Sequence, residues 1–267
     1  MNAPLSLLKM RFLTGLQYRA PAAAGILAQL FFGLIFIMVY VAFYTYSGEA
    51  QPMMLKEVVA YIWLQQIFFS LIVLWRFDGE LFELITGGNI TYELCRPWRL
   101  YPIWYVKMLS ARLSSCALRC LPIAFVVLLL PEPYRMPLPA SPAAFLAFLA
   151  ALLAGLLLVT AVSMLLYISV FWTMSPVGSM LMIALAGEFF AGMIVPVPLM
   201  PGWMQQIAHL LPFRWMVDFP FRVYTGHIGI GEAIPGIGAQ LLWLIALAAA
   251  GRWLMERALR RVVVQGG

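Results

Sequence analysis

Residues 26–43 read ILAQLFFGLIFIMVYVAF, with one amide and no charged side chain. A transmembrane strand would alternate apolar and polar residues over about 10 positions, and no such alternation is present. A helix needs about 20 mainly apolar residues to cross the hydrocarbon core. It also satisfies its own backbone polar groups, as the bilayer demands. The stretch is therefore predicted to be a membrane-spanning helix, extending over 22–46 with its flanks. Five further segments share this character: 58–75, 115–130, 143–172, 177–197 and 233–255. Composition agrees, since 10% of the 267 residues are charged and 64% are hydrophobic, with a mean hydropathy of +0.92, whereas soluble domains are about a quarter charged. The chain reads as an all-α membrane protein with one six-span domain over 22–257 and a short tail over 258–267.

Basic residues set the expected orientation, because Lys and Arg collect in cytoplasmic loops. Lys9, Arg11 and Arg19 precede the first span; Arg76, Arg96, Arg99, Lys107, Arg112 and Arg119 lie between the second span and the start of the third; Arg252, Arg257, Arg260 and Arg261 end the chain. Only Lys56, Arg135, Arg214 and Arg222 fall on the other side. Both termini are thus expected in the cytoplasm. The net charge of +6 is explained by topology and calls for no nucleic-acid partner. No short apolar region with a small-residue cleavage site precedes the first span, so a cleavable signal peptide is not expected. Instead Leu5, Leu8, Phe12 and Leu16 recur at helical spacing, with Ser6, Lys9 and Gln17 off that face. Residues 1–21 are expected to hold an amphipathic helix, over 4–20, lying on the cytoplasmic membrane surface.

Several chemistries are excluded by what the motifs lack. The chain has three lysines, Lys9, Lys56 and Lys107, none following a glycine, so it has no phosphate loop of the kind that cradles a nucleotide. It has neither a Gly-x-Ser-x-Gly elbow nor a His-Glu-x-x-His pair. His209 and His227 have no ligand-type neighbours at metal-site spacing. Cys95, Cys116 and Cys120 fall on the cytoplasmic half, where thiols stay reduced, and the latter two read as buried small hydrophobes. No catalytic residue, cofactor or metal is expected in this chain.

Two polar interruptions remain. The loop 76–107 carries Asp78, Glu80 and Glu83 beside Leu81, Phe82, Leu84 and Ile85, the pattern of a short amphipathic helix stopped by Gly87-Gly88. Arg96-Pro97-Trp98 follows. The loop reads either as a membrane-surface anchor or as a docking surface for a soluble partner. The region 198–232 is too rich in proline and polar residues to span. Pro201-Gly202 is expected to open a short helix over 203–211, Pro212 to end it, and a second helix to follow over 214–224, the pair forming a re-entrant hairpin. Such backbone survives at membrane depth only against protein or a cavity.

Taken in order, the interfacial helix, two spans, the loop with Leu94-Cys95-Arg96-Pro97, three spans, Gly192-x-x-x-Pro196, the run Pro201-Gly202-Trp203-Met204-Gln205-Gln206-Ile207-Ala208-x-Leu210-Leu211-Pro212-Phe213 and a last span resemble the permease subunit of type-2 ABC exporters. The chain looks most like small bacterial members with Tyr18-Arg19-Ala20 before the first span and Gly88-Asn89-Ile90-x-Tyr92-x-Leu94-x-Arg96-Pro97 after the second. The resemblance implies a multi-pass protein of the bacterial cytoplasmic membrane that pairs with a second permease, identical or dissimilar. It implies two copies of a cytoplasmic ATPase that bind the ATP and Mg, and an outward substrate path at the permease dimer interface. It makes 78–85 the coupling helix, with Asp78, Glu80, Leu81, Phe82, Glu83, Ile85 and Arg96 as its contacts. It also makes the hairpin an outer gate, with Trp203, Leu211, Phe213 and Trp215 as its residues. The cargo is not written in the sequence, although an aromatic and Met-rich interior fits an amphipathic or lipid-like molecule.

Ionisable residues inside spans are default functional candidates. Glu188 is expected near the middle of the fifth span, sharing a face with Ala184 and Gly192 and flanked by Gly187 and Ala191; it is either a hydrogen-bonded packing residue or part of the path. Arg112 is expected at the cytoplasmic surface. Arg119, two turns further along the helix, is expected to snorkel or to pair with a carboxylate, and Glu188, Gly192 and Arg119 are candidates for the translocation path or the dimer interface. Two other classes stay open at this stage: an intramembrane transferase using Glu188 or Asp218 with His209, and a scaffold that transports nothing.

Overall fold

The computed structural model describes residues 3–47, 51–75, 78–173 and 178–260. Arg76, Arg261, the expected start of the fifth span at Val177 and the tail from 261 onward lie outside them. Among the described residues every regular element is helical. These are α1 (Ala3–Gly15), α2 (Arg19–Tyr46), α3 (Leu55–Ile72), α4 (Gly79–Thr86), α5 (Ile90–Leu94), α6 (Leu100–Leu129), α7 (Pro142–Thr173), α8 (Gly178–Phe190), α9 (Gly202–Leu210), α10 (Asp218–Thr225) and α11 (Ile230–Leu259). Five of them, α2, α3, α6, α7 and α11, are long and apolar enough to cross a membrane, and the chain is an all-α, multi-pass membrane protein.

Three expected segments differ in extent. The third span begins at Leu100 instead of 115, because Lys107 and Arg112 do not interrupt the helix: each finds oxygen partners in neighbouring elements. The fifth segment is a 13-residue helix, about 20 Å long, and not a span over 177–197. It stops at Phe190, and two residues later Gly192 has φ +83°, a left-handed conformation that only glycine adopts readily. The second hairpin helix begins at Asp218, after a 3₁₀ turn at Phe213–Trp215, and ends at Gly226 with φ +80°.

Helices α3 and α7 are the core of the bundle. Most of their apolar window is buried, whereas α2, α6 and α11 leave much of theirs facing outward, with Phe31, Leu121, Phe125, Leu242 and Ile245 exposed, as side chains solvated by lipid would be. Helices α2, α3, α6 and α7 alternate in direction, and α11 runs parallel to α7. The N-terminal parts of α2 and α6, the C-terminal parts of α3, α7 and α11, and both α1 and α4 gather at one end of the bundle, hereafter the α4 end. Four contacts tie this end together. Ser110 Oγ of α6 donates to Leu8 O of α1 at 2.9 Å, Gly15 lies against Ser114, Tyr167 of α7 meets the backbone N–H of Asp78, and Gly251 of α11 faces Tyr101. Helix α1 is shorter than the expected 4–20, and of the predicted face Leu8, Phe12 and Leu16 are half-buried while Leu5 is not. Leu7 packs against the core, and Leu5 is 63% exposed together with Met10 and Leu13.

Candidate functional site

At the α4 end, short-range sequence builds the helix and long-range charges hold it. Asp78 is the N-cap, its Oδ1 accepting from Glu80 N–H at 3.0 Å, which satisfies one of the free donors of the first turn. Gly88, with φ +72°, turns the chain into α5. Within α4 the expected amphipathicity holds. Leu81 and Ile85 are buried in the core cluster, Phe82 stacks on Tyr167 of α7 with ring centroids 4.8 Å apart, and Glu83 is exposed.

Glu80 does not point to a partner alone. Lys107 Nζ of α6 lies 2.8 Å from its Oε2 and 3.4 Å from Asp78 Oδ2, and Arg11 of α1 donates to both Glu80 oxygens at 3.3 and 3.4 Å. The hydrogen bond from Lys107, aided by the charge of Arg11, holds the Glu80 carboxyl below the usual range despite partial burial. Asp78 and Glu80 therefore form an internal clasp joining α1, α4 and α6. Of the seven candidate contact residues Glu83 and Arg96 carry charge on an open surface outside the clasp, and Glu80, although paired, is itself exposed. Arg96 pairs with Glu93 at 3.3 Å and sits over the Trp98 ring at 5.2 Å. Around them Tyr92, Leu94 and Trp98 are exposed apolar residues. A groove of about 330 Å³ between α1 and the α4–α5 element brings Glu80 and Arg96 to one lining.

One layer deeper, Arg112 is buried rather than on the surface. Its Nη1 donates to Leu71 O at 3.0 Å and Val73 O at 2.6 Å, and its Nη2 donates to Ser163 Oγ at 2.7 Å. These are carbonyls at the C-terminus of α3, where a cation is favoured by unpaired C=O groups. Glu188 completes the same junction from α8, its Oε1 accepting from Leu74 N–H at 2.7 Å, with Arg112 as a favourable charge. Glu188 is thus level with the end of α3, not at mid-span. Gly192 is not on its helical face, because α8 has already ended. Arg119 lies elsewhere, against α2, its guanidinium filling the space where a Cβ on Gly25 would be.

The hairpin is organised around Asp218, which the sequence offers only as a transferase candidate with His209. Asp218 is buried. Its Oδ1 accepts from Val197 N–H at 3.2 Å and Tyr61 O–H at 3.4 Å, its Oδ2 lies 3.3 Å from Arg222, and its own N–H donates to Ala191 O. Tyr61 and Gln65 of α3 also donate to Gly192 O at 3.0 and 2.9 Å. Gln240 of α11 donates to Trp215 O at 2.7 Å and Ala151 O at 3.0 Å. Irregular backbone at the level of mid-α3 is thereby supplied with side-chain partners. Phe213 packs on Gly187, Trp215 lies 5.0 Å from Phe219, and Leu211 is half-buried, whereas Trp203 on α9 is exposed together with Ile207 and Leu210. The hairpin residues are thus split between a packed base and an outward-facing α9.

A family model described as ABC-2 family transporter protein matches residues 27–266. No curated protein matches the chain.

Proposed function

Because the chain belongs to the ABC-2 transporter family as the membrane-spanning permease subunit of an ABC transporter, we propose that it works as an exporter driven by two copies of a separate cytoplasmic ATPase, which bind the ATP and Mg. In this reading the α4 end faces the cytoplasm of a bacterium, both termini lie there, and a second permease completes an outward path for an amphipathic or lipid-like cargo. Orientation rests on the accumulation of basic residues at this end.

One observation carries the coupling role. Helix α4 is fastened to three elements at once, to α7 through Tyr167 and Phe82 and to α1 and α6 through Glu80, while Glu83, Tyr92, Leu94 and Trp98 stay open. A movement imposed on the open face reaches the long helices through fixed contacts instead of being absorbed by a loop. A surface anchor would need no such fastening. The hairpin, with a packed base and an exposed α9, suits a gate at the opposite end, and Asp218 is its structural tie: its oxygens are taken up by Tyr61, Val197 and Arg222. The test is the double substitution Glu83→Arg with Tyr92→Ala, which leaves the internal clasp untouched. It is expected to weaken ATPase recruitment or to uncouple hydrolysis from transport with normal membrane insertion. Full recruitment and transport would reduce the element to an anchor.

A further inference from the structure

At the α4 end a cavity of about 300 Å³ opens where α1, the start of α2 and α6 meet. Its lining is basic and hydroxylic: Arg11, Lys107 and Arg119 contribute cations, and Thr14, Tyr18 and Ser115 contribute hydroxyls. Asp78 is the one carboxylate in the lining. It is already engaged, with Glu80, by Lys107 and Arg11. Arg119 has no carboxylate partner among the described residues. Its Nε is buried with no hydrogen-bond partner, and so is the Nε of Arg11. A buried N–H left without a partner is costly, yet the fold makes room for the half-buried Arg119 guanidinium, since a Cβ on Gly25 would lie 2.6 Å from Arg119 Cζ.

The surroundings say what kind of anion fits. Leu118 belongs to the lining, and from it Leu121 and Phe125 continue along the same helix face, 74% and 68% exposed. On α1, Leu5 and Leu13 are exposed as well. A charged recess thus opens beside apolar surface at a bilayer boundary, which suits a phosphate ester bearing acyl chains, and basic pockets between membrane helices are known recognition sites for anionic headgroups. A soluble anion would use the recess and leave the apolar stripe unused.

We propose that this cavity binds the phosphate-ester headgroup of an anionic phospholipid, with Arg119 as its principal contact and Arg11, Ser115 and Tyr18 around it, so that lipid joins α1 to α2 and α6. Binding is measured on the full chain in neutral detergent by native mass spectrometry, with phosphatidylglycerol, phosphatidylcholine and glycerol 3-phosphate as probes. The wild type should retain phosphatidylglycerol over phosphatidylcholine. Arg119→Gln should weaken retention about fivefold, the factor that one basic residue contributes at an anionic membrane surface, and Arg135→Gln, remote from the cavity, should leave it unchanged. If Arg119→Gln does not yield folded protein, Gly25→Ala carries the test, since it keeps every charge, favours the helix and displaces the guanidinium; it should also weaken retention. Glycerol 3-phosphate bound by the wild type and lost in these variants would support the phosphate site and assign its source to solution. Equal retention of phosphatidylglycerol by wild type and both variants, or equal retention of the two lipids, would overturn the proposal.

Discussion

Replacing Glu188 by Gln and by Leu separates a structural carboxyl from a transport group. In the wild type, Glu188 Oε1 accepts from Leu74 N–H at 2.7 Å, and Leu74 is 2% exposed, so no water stands ready to replace the carboxyl. Gln retains an acceptor oxygen of the same reach. Leu removes it and leaves a buried backbone donor unpaired, which costs roughly 1–3 kcal/mol. Leu also withdraws the carboxyl that interacts with Arg112, and removing one member of a buried polar arrangement adds to the loss. Glu188→Leu is therefore expected to destabilise by about 2–3 kcal/mol and Glu188→Gln by less than about 1 kcal/mol. Equilibrium unfolding in mixed micelles, with helix content as the signal, measures both, and transport in vesicles is read on the same preparations. The expected pattern is Leu destabilising and Gln close to wild type in stability and transport. A stable Glu188→Gln protein that no longer transports would refute the structural assignment and place the carboxyl in the path.

Other substitutions address the remaining junctions. Arg112→Met strips Leu71 O, Val73 O and Ser163 Oγ of their donor and should cost about 3–5 kcal/mol in the same unfolding assay, more than Arg119→Met, whose Nε has no partner to lose. Gly192→Ala places a Cβ at φ +83°, 2.5 Å from Tyr61 Oη, so the hairpin base should loosen, seen as faster proteolysis between α8 and α10; unchanged protection would contradict that packing. The Glu80 clasp has a definite pH sense. Its folded carboxyl titrates below the usual glutamate range, so its contribution is present above that range and is lost as pH falls through the lower folded value. A cross-link between α1 and α4 should persist from neutral pH to about 4.5 and fall off in more acid solution, and Glu80→Gln should remove that acid limb.

The helical class, the short helix over Gly79–Thr86 and the hairpin were legible because each rests on neighbours in sequence: apolar runs of span length, an Asp cap with two glycines beyond the helix, and a Pro-Gly start before α9. What was missed rests on distant pairs. Arg112 looked like a surface charge because nothing nearby in sequence shows that the end of α3, 41 positions away, would present carbonyls to it. From sequence Glu188 reads as mid-span, because the break at Gly192 is a backbone conformation and glycine alone does not announce it. The Asp218 tie joins α3, the Gly192 break and α10 across as many as 157 positions. One signal was available: an Asp four residues before an Arg, in a stretch too apolar to leave a carboxylate unpaired, marks a buried pair.

Whether the open face of α4 and α5 is where the ATPase seats is tested most directly by site-specific photocross-linking in intact cells, with a photoreactive residue in turn at Glu83, Tyr92 and, on the exposed face of α9, Trp203. Glu83 and Tyr92 should capture a soluble ATP-hydrolysing subunit, and Trp203 should not. Capture of that subunit at Trp203, or no ATPase at either Glu83 or Tyr92 in transport-active cells, would contradict the account.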